Sequence, residues 1–512
     1  MVKFHWGMRV CGIFLLWAVT AIALPAQTFT TLLSFDNADG ALPTAALVQA
    51  TDGDLYGTTR SGGANSDACG SVEGCGTVFK MTRLGTLTTL YNFCSQTNCT
   101  DGSFPFAGLV QGTDGNFYGT TDSGGANKNC GGYIGCGTVF KMTPSGTLTT
   151  IYSFCSQSNC PDGSAPVAGL VQGTDGDFYG TTIITVINGG THINGTVFKI
   201  TPSGTLTTLY KFCRHFRCTD GSYPDGALVQ ATDGDFYGTT AFGGAGTACR
   251  GCGTVFKITP SGTLTTLHSF DKRDGSDPFG GLVQATDGNF YGTTDGGGTD
   301  DYGTVFKISP IPPYTLTVLH SFDRTDGQVP AASLVQGTDG NFYGTTSDGG
   351  ANNNCGADGC GTIFGITSNG TLTTLYNFCS QGGSSCTDGY APQAALVQDT
   401  NGKFYGTTSG GGANSSCDTG AGCGTVFNLS VGLVPFVETQ PASGKVGAVV
   451  NILGTNLNGA TSVTFNGTSA AFTVKSQSEI TTTVPVGATT GTIQVVTPIS
   501  TFLSNVAFTV KP

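Results

Sequence analysis

One segment, LVQGTDGNFYGTT at 109–121, recurs with small changes along most of the chain and constrains the fold more than any other feature. Each copy is followed by a segment like GTVFKMT at 137–143 and, in all but the last copy, by another like TLTTIYSF at 147–154. A repeat of this length predicts either a solenoid or a propeller. The glutamine of the segment stands at Gln49, Gln111, Gln172, Gln230, Gln284, Gln336 and Gln398.

Each unit contains four strand-like runs. The first two are separated by Asp-Gly, which favours a two-residue type I′ hairpin turn. The last two are separated by Pro-Ser-Gly, which also favours a tight turn. Four antiparallel strands in each of seven units predict an all-β fold, a seven-bladed β-propeller, since a β-helix has much shorter coils.

The two ends of the repeat array complement each other. The last copy stops after Gly424-Thr-Val-Phe427 and lacks its fourth strand, whereas an extra strand of that type stands at 28–35, before the first copy. We therefore expect strand 28–35 to complete the seventh blade of a propeller over 27–430, which leaves no open sheet edge.

By analogy with other propellers, we take the LVQ strand as innermost strand A, followed outward by B, C and D. This order places the uniform A–B and C–D turns on one face of the disc. The longer and more variable B–C and D–A loops then lie together on the opposite face.

Of the 19 cysteines, Cys11 lies in the N-terminal segment and the other 18 form nine close pairs, confined to these two loop classes. A copy that lacks one member of a pair lacks both, as covalent pairing predicts, so we expect local disulfides rather than metal ligands. A redox role is left open for the shortest pair, Cys249/Cys252. The predicted pairs are Cys69/Cys75, Cys94/Cys99, Cys130/Cys136, Cys155/Cys160, Cys213/Cys218, Cys249/Cys252, Cys355/Cys360, Cys379/Cys386 and Cys417/Cys423.

Residues 1–26 have the pattern of a secretory signal peptide. Lys3 and Arg9 precede an apolar run from Val10 to Leu24, and cleavage is expected after Ala23 or Ala26. The alternative is a membrane anchor, although the run is short for a bilayer span. We expect a secreted or cell-surface protein with no transmembrane segment in its mature chain.

The net charge of −12 excludes nucleic acid and anionic membranes as expected partners, because no basic stripe could neutralise phosphates. His268 and His320 occupy a strand position that is Tyr in other copies, and no spacing indicates a catalytic triad, metal site or cofactor. The chain is therefore predicted to be non-enzymatic. General acid/base carboxylates among loop residues such as Asp300, Asp301 and Asp358 remain an alternative.

The repeated aromatic pairs, such as Phe117-Tyr118, are predicted to fill the interfaces between blades. Tyr133, Phe216 and Tyr302 lie in loops outside the repeat pattern and are the candidate ligand contacts.

Two resemblances cover most of the chain. The motifs LVQGTDGNFYGTT and GTVFK(I/M)TPSGTLTTLY, repeated over roughly 28–430, resemble the Gloeo/Verruco-type extracellular repeat, a family without an assigned activity. After Val431, the PASGKVG entry, the GTNL turn and the VTFNGT hairpin resemble an IPT/TIG domain, which implies an Ig-like β-sandwich over 431–512.

These features favour an exported binding or scaffold protein that contacts a glycan or a surface protein through its disulfide-pinned loop face. The alternative is a polysaccharide-active propeller enzyme, a hydrolase or lyase, for which we expect two or more loop carboxylates to converge on the ring axis. A purely structural envelope protein is a third alternative.

Overall fold

The computed structural model describes residues 27–511 except 66–68, 70–73, 129, 131–133, 188–189, 193, 247–250, 415–416 and 418–421. The predicted signal segment, Tyr133 and Cys249 therefore lie outside the described residues.

The repeats form seven four-stranded antiparallel sheets in the order A–B–C–D, which confirms the seven-bladed propeller. The A strands are Val48–Gln49, Val110–Gln111, Val171–Gln172, Val229–Gln230, Val283–Gln284, Val335–Gln336 and Val397–Gln398. The B strands are Leu55–Thr59, Phe117–Thr121, Phe178–Thr182, Phe236–Thr240, Phe290–Thr294, Phe342–Thr346 and Phe404–Thr408. The C strands are Thr77–Met81, Thr138–Met142, Thr196–Ile200, Thr254–Ile258, Thr304–Ile308, Thr362–Ile366 and Thr425–Ser430. The D strands are Leu87–Asn92, Leu148–Ser153, Leu206–Lys211, Leu264–Ser269, Leu316–Ser321, Leu372–Asn377 and, in the seventh blade, Thr28–Ser34.

Short elements decorate the loops. Blade 3 carries a hairpin of Thr185–Ile187 and Gly190–His192 at the place where five other blades have a cysteine loop. Three 3-10 turns lie in D–A loops, at Thr97–Cys99, Phe216–Cys218 and Gly383–Ser385. Within the described ranges, no helix is long and apolar enough to cross a bilayer.

The N-terminal strand closes the ring. Thr28–Ser34 pairs antiparallel with the C strand of blade 7, with Thr28 opposite Ser430 and Ser34 opposite Thr425. The Phe29 ring stacks on Tyr376 of blade 6 with centroids 3.8 Å apart, so this strand also packs against the neighbouring blade.

The A strands are linked around the axis by one repeated hydrogen bond. The glutamine of each blade accepts, through Oε1, from the backbone N–H of the threonine two residues after the glutamine of the preceding blade. All seven links are present at 2.8–3.1 Å, between Thr51/Gln111, Thr113/Gln172, Thr174/Gln230, Thr232/Gln284, Thr286/Gln336, Thr338/Gln398 and Thr400/Gln49.

The aromatic pair of strand B fills the interfaces between blades. Its two side chains point to opposite sides of the sheet, so Tyr118 stacks at 4.0 Å on Phe178 of the next blade. Equivalent contacts recur in six interfaces, and Leu55 replaces the phenylalanine in the remaining one, opposite Tyr405.

The Asp-Gly turns differ from the predicted two-residue type I′ turn. Gly115 has a φ of +80°, but Asp114 does not have a positive φ, and the N–H of Gly115 donates to the carbonyl of Gly112. This is a type I turn followed by one left-handed glycine, a three-residue loop. The Asp114 carboxylate accepts from the Tyr118 hydroxyl at 2.9 Å and pairs with Lys141 at 2.8 Å, which ties the turn to strands B and C.

Eight of the nine predicted disulfides are present among the described residues, and the ninth involves Cys249. The antiparallel order puts the B–C and D–A loops on one face, as predicted. In blade 1, the sulfurs of Cys69, Cys75 and Cys94 lie within 4.8 Å of one another, and two similar trios occur elsewhere. These sulfurs belong to disulfides, so they do not form thiolate metal sites.

The second cysteine of each B–C pair is buried at the end of its loop, as Cys252 and Cys423 illustrate. Both stand two residues before strand C and are at most 1% exposed, because they pack into the core between blades. Cys423 forms its predicted disulfide with Cys417, and Cys252 is also disulfide-bonded, although its predicted partner Cys249 is outside the described residues. These two sulfurs therefore anchor the loops from below and are not surface contacts. Reactive cysteines are partly exposed, so the burial of Cys252 argues against the redox role.

Blades without a cysteine pair in the D–A loop use aspartates there instead. In the loop between blades 4 and 5, Asp271 N–H donates to Asp274, and Asp274 also bonds to Nε2 of His268 on strand D of blade 4 at 2.7 Å. Asp101 holds Tyr91 in the same way at 2.8 Å in blade 1. His268 therefore occupies a structural position, and His320 does the same opposite Asp326.

Residues after Ser430 form a separate β-sandwich with the IPT/TIG strand pattern, around a core that includes Val450, Phe465 and Phe508. One sheet contains Glu438–Gln440, Val449–Leu453, Glu479–Thr483 and Phe472–Val474. The other contains Thr468–Ser469, Ser462–Phe465, Ile493–Val496 and Thr501–Leu503, while Ser443–Lys445 pairs in parallel with Thr509–Lys511.

The C-terminal domain contacts the turn face of the propeller. Ser478 Oγ donates to the Thr51 carbonyl at 3.0 Å, and Thr400 Oγ1 lies 3.1 Å from Thr455 Oγ1. These contacts involve the A–B turns of blades 1 and 7. The C-terminal domain is therefore anchored on the face opposite the disulfide loops.

Candidate functional site

A pocket of about 470 Å³ lies on the propeller axis, at the end that opens toward the loop face. Every blade contributes to it through the segment that runs from the loop proline into strand A. A single pocket touched by this segment from all seven blades requires that strand A be innermost. The residue after the proline lines the pocket in each copy, as Thr44, Phe106, Val167, Asp225, Phe279, Ala331 and Gln393.

The pocket walls below this ring of residues are built from small side chains. The next two residues of each segment are Ala, Gly or Ser in every copy. At Gly108, an added Cβ would lie 2.7 Å from the carbonyl oxygen of Ala46 in the neighbouring blade, and at Gly281 2.6 Å from that of Ala227. Seven segments of the chain meet around the axis, so the pocket floor is largely backbone. The chemistry of the pocket therefore comes from the ring of variable residues that follow the prolines.

Two carboxyl groups line this pocket, Asp225 from the entry to blade 4 and Asp295 from the end of strand B in blade 5. Burial, together with the charge of Asp122, raises the pKa of Asp225 to about 7. Burial, with the charges of Asp277, Asp225 and Asp348, raises the pKa of Asp295 to about 8. Asp295 Oδ1 is shielded from solvent and accepts no hydrogen bond from any described group.

The two carboxyls lie in different electrostatic surroundings from the carboxylates of the turn face. Burial raises the pKa of Asp122, although the nearby Arg60 opposes that effect. On the turn face, by contrast, Lys141 and other hydrogen-bond donors overcome burial and hold the pKa of Asp114 down, at about 2. Raised carboxyl pKa values in a concave site are typical of functional positions.

Aromatic rings also line the pocket. Phe106 and Phe279 belong to the variable ring, and the Arg60 guanidinium lies 5.4 Å from the centre of the Phe106 ring. Phe279 makes edge contacts with Tyr223 and Phe242, each with ring centroids 6.2 Å apart. The side of the pocket formed by blades 4 and 5 therefore combines acidic groups with an aromatic wall.

Of the three aromatic residues predicted from sequence as ligand contacts, Tyr302 has a described side chain, and it is not part of the pocket lining. Tyr302 is half-buried against the core cluster that contains Tyr291 and Val305, and its carbonyl accepts from Val329 N–H. Phe216 begins a 3-10 turn in the D–A loop of blade 4, and its side chain is not among the described ones. Tyr133 lies outside the described residues.

The predicted loop acids also lie away from the pocket lining. Asp300 and Asp358 are exposed, and Asp301 is paired with Lys272 at 2.8 Å. The carboxyls that do converge, Asp225 and Asp295, were missed by sequence reasoning. The signal that could have found them is variability, because the residue after the proline, as at Asp225, and the residue after strand B, as at Asp295, differ among near-identical copies.

The described residues contain three groups of side chains close enough to share a metal ion, and all three are the disulfide sulfurs noted above. The axial carboxyls, all of them described, do not form a trio of that kind. The pocket is therefore equipped for hydrogen bonding and charge rather than for a preformed three-ligand metal centre.

The model of the Gloeobacter/Verrucomicrobia repeat matches residues 18–182 and 129–357. The chain belongs to the Gloeobacter/Verrucomicrobia repeat family. An IPT/TIG domain model matches residues 436–510, in agreement with the C-terminal sandwich. The disulfide-rich blades of this family member fit an extracellular protein. No curated protein matches the chain.

Solved structures similar to this repeat-family chain include several propeller enzymes. A fungal alcohol oxidase of the AA5 family, in complex with copper, has a TM-score of 0.51 at 12% identity, covering 93% of this chain and 99% of its own. A PQQ-bound aldose sugar dehydrogenase from Streptomyces coelicolor has a TM-score of 0.38 at 11% identity, covering 79% and 98%. A putative gluconolactonase has a TM-score of 0.38 at 10% identity, covering 80% and 94%. At such identities the likeness to the first shows the fold alone.

Proposed function

We propose that this protein is an extracellular, non-catalytic binding protein whose ligand is a glycan unit held in the axial pocket of the loop face. The observation that supports this most is the ring of variable residues, from Thr44 to Gln393, that lines one pocket in an otherwise repeated framework. Repetition of the framework maintains the ring, while variation at this one position distinguishes the seven walls of the pocket.

The size and shape of the pocket favour a small ligand over a flat protein surface. A volume of about 470 Å³ falls within the range of small-molecule sites. Phe106 and Phe279 offer apolar contacts for sugar rings, and the Asp225 and Asp295 carboxyls offer hydrogen bonds to hydroxyl groups.

Two features outside the pocket, the loop disulfides and the position of the C-terminal domain, also support ligand binding at the loop face. Disulfides such as Cys94–Cys99 and Cys155–Cys160 fix the loops around the pocket, which lowers the entropy lost when a ligand binds. The C-terminal domain is bound to the turn face through Ser478 and Thr455, so it leaves the loop face free and can serve as a spacer.

The test is titration of the oxidised protein against a glycan panel, by calorimetry, for the wild type and two variants. We expect Phe279→Ala and Asp225→Gln to weaken binding at least about tenfold, a loss of about 1.4 kcal/mol. Gln393 occupies the position equivalent to Asp225 in blade 7, so this variant uses a residue that the fold already accepts.

The matched control is Asp287→Asn, which removes one carboxylate from the turn face at a position where blade 7 carries Asn401. We expect it to bind like the wild type. Absence of binding across the panel, or equal losses for Asp287→Asn and Asp225→Gln, would contradict a binding site in the axial pocket.

A second candidate, a polysaccharide-cleaving enzyme, is favoured by the different pKa values of Asp225 and Asp295. Near pH 7, Asp295 holds its proton and suits a general acid, while Asp225 is partly ionised and suits a general base. Incubation with polysaccharides and chromatography of the products tests this role. Cleavage by the wild type that is lost in both Asp225→Asn and Asp295→Asn would establish it and overturn the non-catalytic proposal.

A further inference from the structure

The charges around the axial pocket are strongly unbalanced. No described Lys or Arg acts directly on the two pocket carboxyls, Asp225 and Asp295. Two cations act on neighbouring carboxyls, Arg60 on Asp122 and Lys272 on Asp277. Lys272 is already paired with Asp301, and Asp348 is repelled by the charge of Asp358. Asp225 and Asp295 line the pocket, and three further carboxyls act on them electrostatically, Asp122 on Asp225 and Asp277 and Asp348 on Asp295.

One atom of this cluster, Oδ1 of Asp295, indicates what a ligand in the pocket must supply. Asp295 Oδ1 is shielded from solvent and accepts no hydrogen bond from any described group, while its residue lines the pocket. A buried acceptor without a donor is costly, typically by about 1–3 kcal/mol, so such atoms in folded proteins call for a partner. The neighbouring acids cannot supply a cation, and a ligand in the pocket can.

The chemistry of the cation follows from the geometry. No trio of these five described carboxyls lies close enough to share a metal ion, so the pocket has no preformed three-ligand metal site and better fits an organic cation. An ammonium group carries three donors in a compact charge and can bridge two carboxylates without planar, two-pronged alignment. The adjoining Phe106 and Phe279 rings and the pocket volume provide space for the ring that carries it.

We propose that the axial pocket selects an amine-bearing sugar, with the ammonium group between Asp225 and Asp295 and the sugar ring against Phe279. This inference rests on the proposed function, because it names the class of glycan that the same site binds. An ammonium group in the pocket lowers the pKa of both carboxyls, so Asp295 releases its proton to solvent on binding. Attraction to the cation then replaces repulsion among the carboxylates, and Asp295 Oδ1 gains a donor.

The experiment compares four probes with the oxidised full chain near neutral pH. They are a glucosamine oligomer, its N-acetylated form, a glucose oligomer of the same length, and spermidine, which has amines but no sugar ring. We expect the glucosamine oligomer to bind at least about tenfold more tightly than the other three, because charge-assisted hydrogen bonds are roughly twice as strong as neutral ones.

Two variants with precedents in other blades test the residues. Asp225→Gln follows Gln393, and Asp295→Ser follows Ser347 at the same position of blade 6. Each is expected to weaken glucosamine-oligomer binding at least about tenfold. The glucose oligomer is expected to lose less affinity, because it loses a hydrogen bond to a hydroxyl group and not a charge-assisted one. Asp287→Asn on the turn face removes the same charge and is expected to change neither.

The outcomes separate the two proposals. Equal binding of charged and neutral oligomers would overturn the selectivity for amines while leaving the pocket as a glycan site. Spermidine binding as tightly as the glucosamine oligomer would overturn the role of the sugar ring. Absence of binding by all the sugars would contradict both this inference and the proposed function.

Discussion

Gln49 Oε1 accepts a hydrogen bond of 2.9 Å from the backbone N–H of Thr400, although 351 residues separate them. Gln49 Nε2 also donates to Thr400 Oγ1 at 2.9 Å. The same glutamine link joins each of the other six pairs of successive blades, so this one closes the ring at the axis. The N-terminal strand closes it at the periphery, and the first and last blades are thus joined at both ends of the sheet.

Removal of residues 27–34 is expected to open the propeller at its rim. Without the D strand of blade 7, the edge of Thr425–Ser430 is exposed together with the buried Phe427 and Leu429. Exposed edge strands pair with other chains, so we expect aggregation or dimerisation, measured by light scattering during size-exclusion chromatography. Addition of a peptide spanning 27–35 is expected to restore the monomer, whereas a truncated chain that stays monomeric would argue against closure by this strand.

The sequence predicted the architecture because the same strand and turn motifs recur in seven copies. Gln49 and Gln398 are parts of one repeated strand, and the displaced strand 28–35 has no role except in a closed ring. The axial site was not predicted, because Asp225 and Asp295 are separated by 70 residues and neither belongs to a motif. Their pKa values depend on burial at the axis and on charges from other blades, which only the assembled ring brings together.

The conformation of the Asp-Gly turns was also not predicted correctly from the sequence. Asp-Gly favours two residues with positive φ, but Asp114 is held by Tyr118 and Lys141 in a longer loop in which only Gly115 is left-handed. These partners lie on strands B and C, so the side-chain contacts of the blade override the local turn preference.

The Arg83–Asp399 ion pair is expected to be a critical contact between blades 1 and 7. The two side chains meet at 2.8 Å, and Asp399 is fully buried. Arg83→Ala leaves that carboxylate without its cation, and loss of one partner of a buried pair typically costs about 3–5 kcal/mol. We expect a lower denaturation midpoint in guanidinium.

The repeats supply a compensating double variant. Other copies have Pro144 and Gly112 at the two positions, so Arg83→Pro combined with Asp399→Gly removes both charges in favour of residues that the fold already uses. We expect this variant to be more stable than Arg83→Ala. If both variants unfold at the same denaturant concentration as the wild type, the pair contributes little to closure.

We expect that a D–A disulfide can be replaced by an aspartate loop of the kind that leads into blade 5 and into blade 6. Cys94–Cys99 closes only a short loop, which limits its stabilisation to about 2 kcal/mol in the chain-entropy model. Grafting the sequence of Asp271–Asp274 in place of 94–101 keeps an aspartate beside Tyr91. We expect a higher melting temperature for this graft than for Cys94→Ser/Cys99→Ser, measured by circular dichroism, and the opposite order would show that the aspartate loop cannot replace the disulfide.

The pH dependence of stability is expected to carry the signature of the axial carboxyls. The pKa of Asp295 is raised to about 8 in the folded protein, so between about pH 4 and pH 8 the folded state holds a proton that the unfolded state has released. Stability from this group therefore falls as pH rises through that window. Asp295→Asn removes the titration, and we expect it to melt about 1 °C above the wild type at pH 9, for a gain on the order of 1 kcal/mol, with little difference at pH 4.

A turn-face carboxylate provides the control of opposite sign. Burial alone would raise the pKa of Asp287, but hydrogen bonds from Asn289 and Tyr291 outweigh it and leave the pKa below its usual value. Its contribution to stability is present at neutral pH and lost as pH falls through the folded pKa, so Asp287→Asn is expected to lower the melting temperature near pH 7 and to matter less in acid. If Asp295→Asn and Asp287→Asn shift the melting temperature in the same direction at every pH, Asp295 is not held in its protonated form by the pocket.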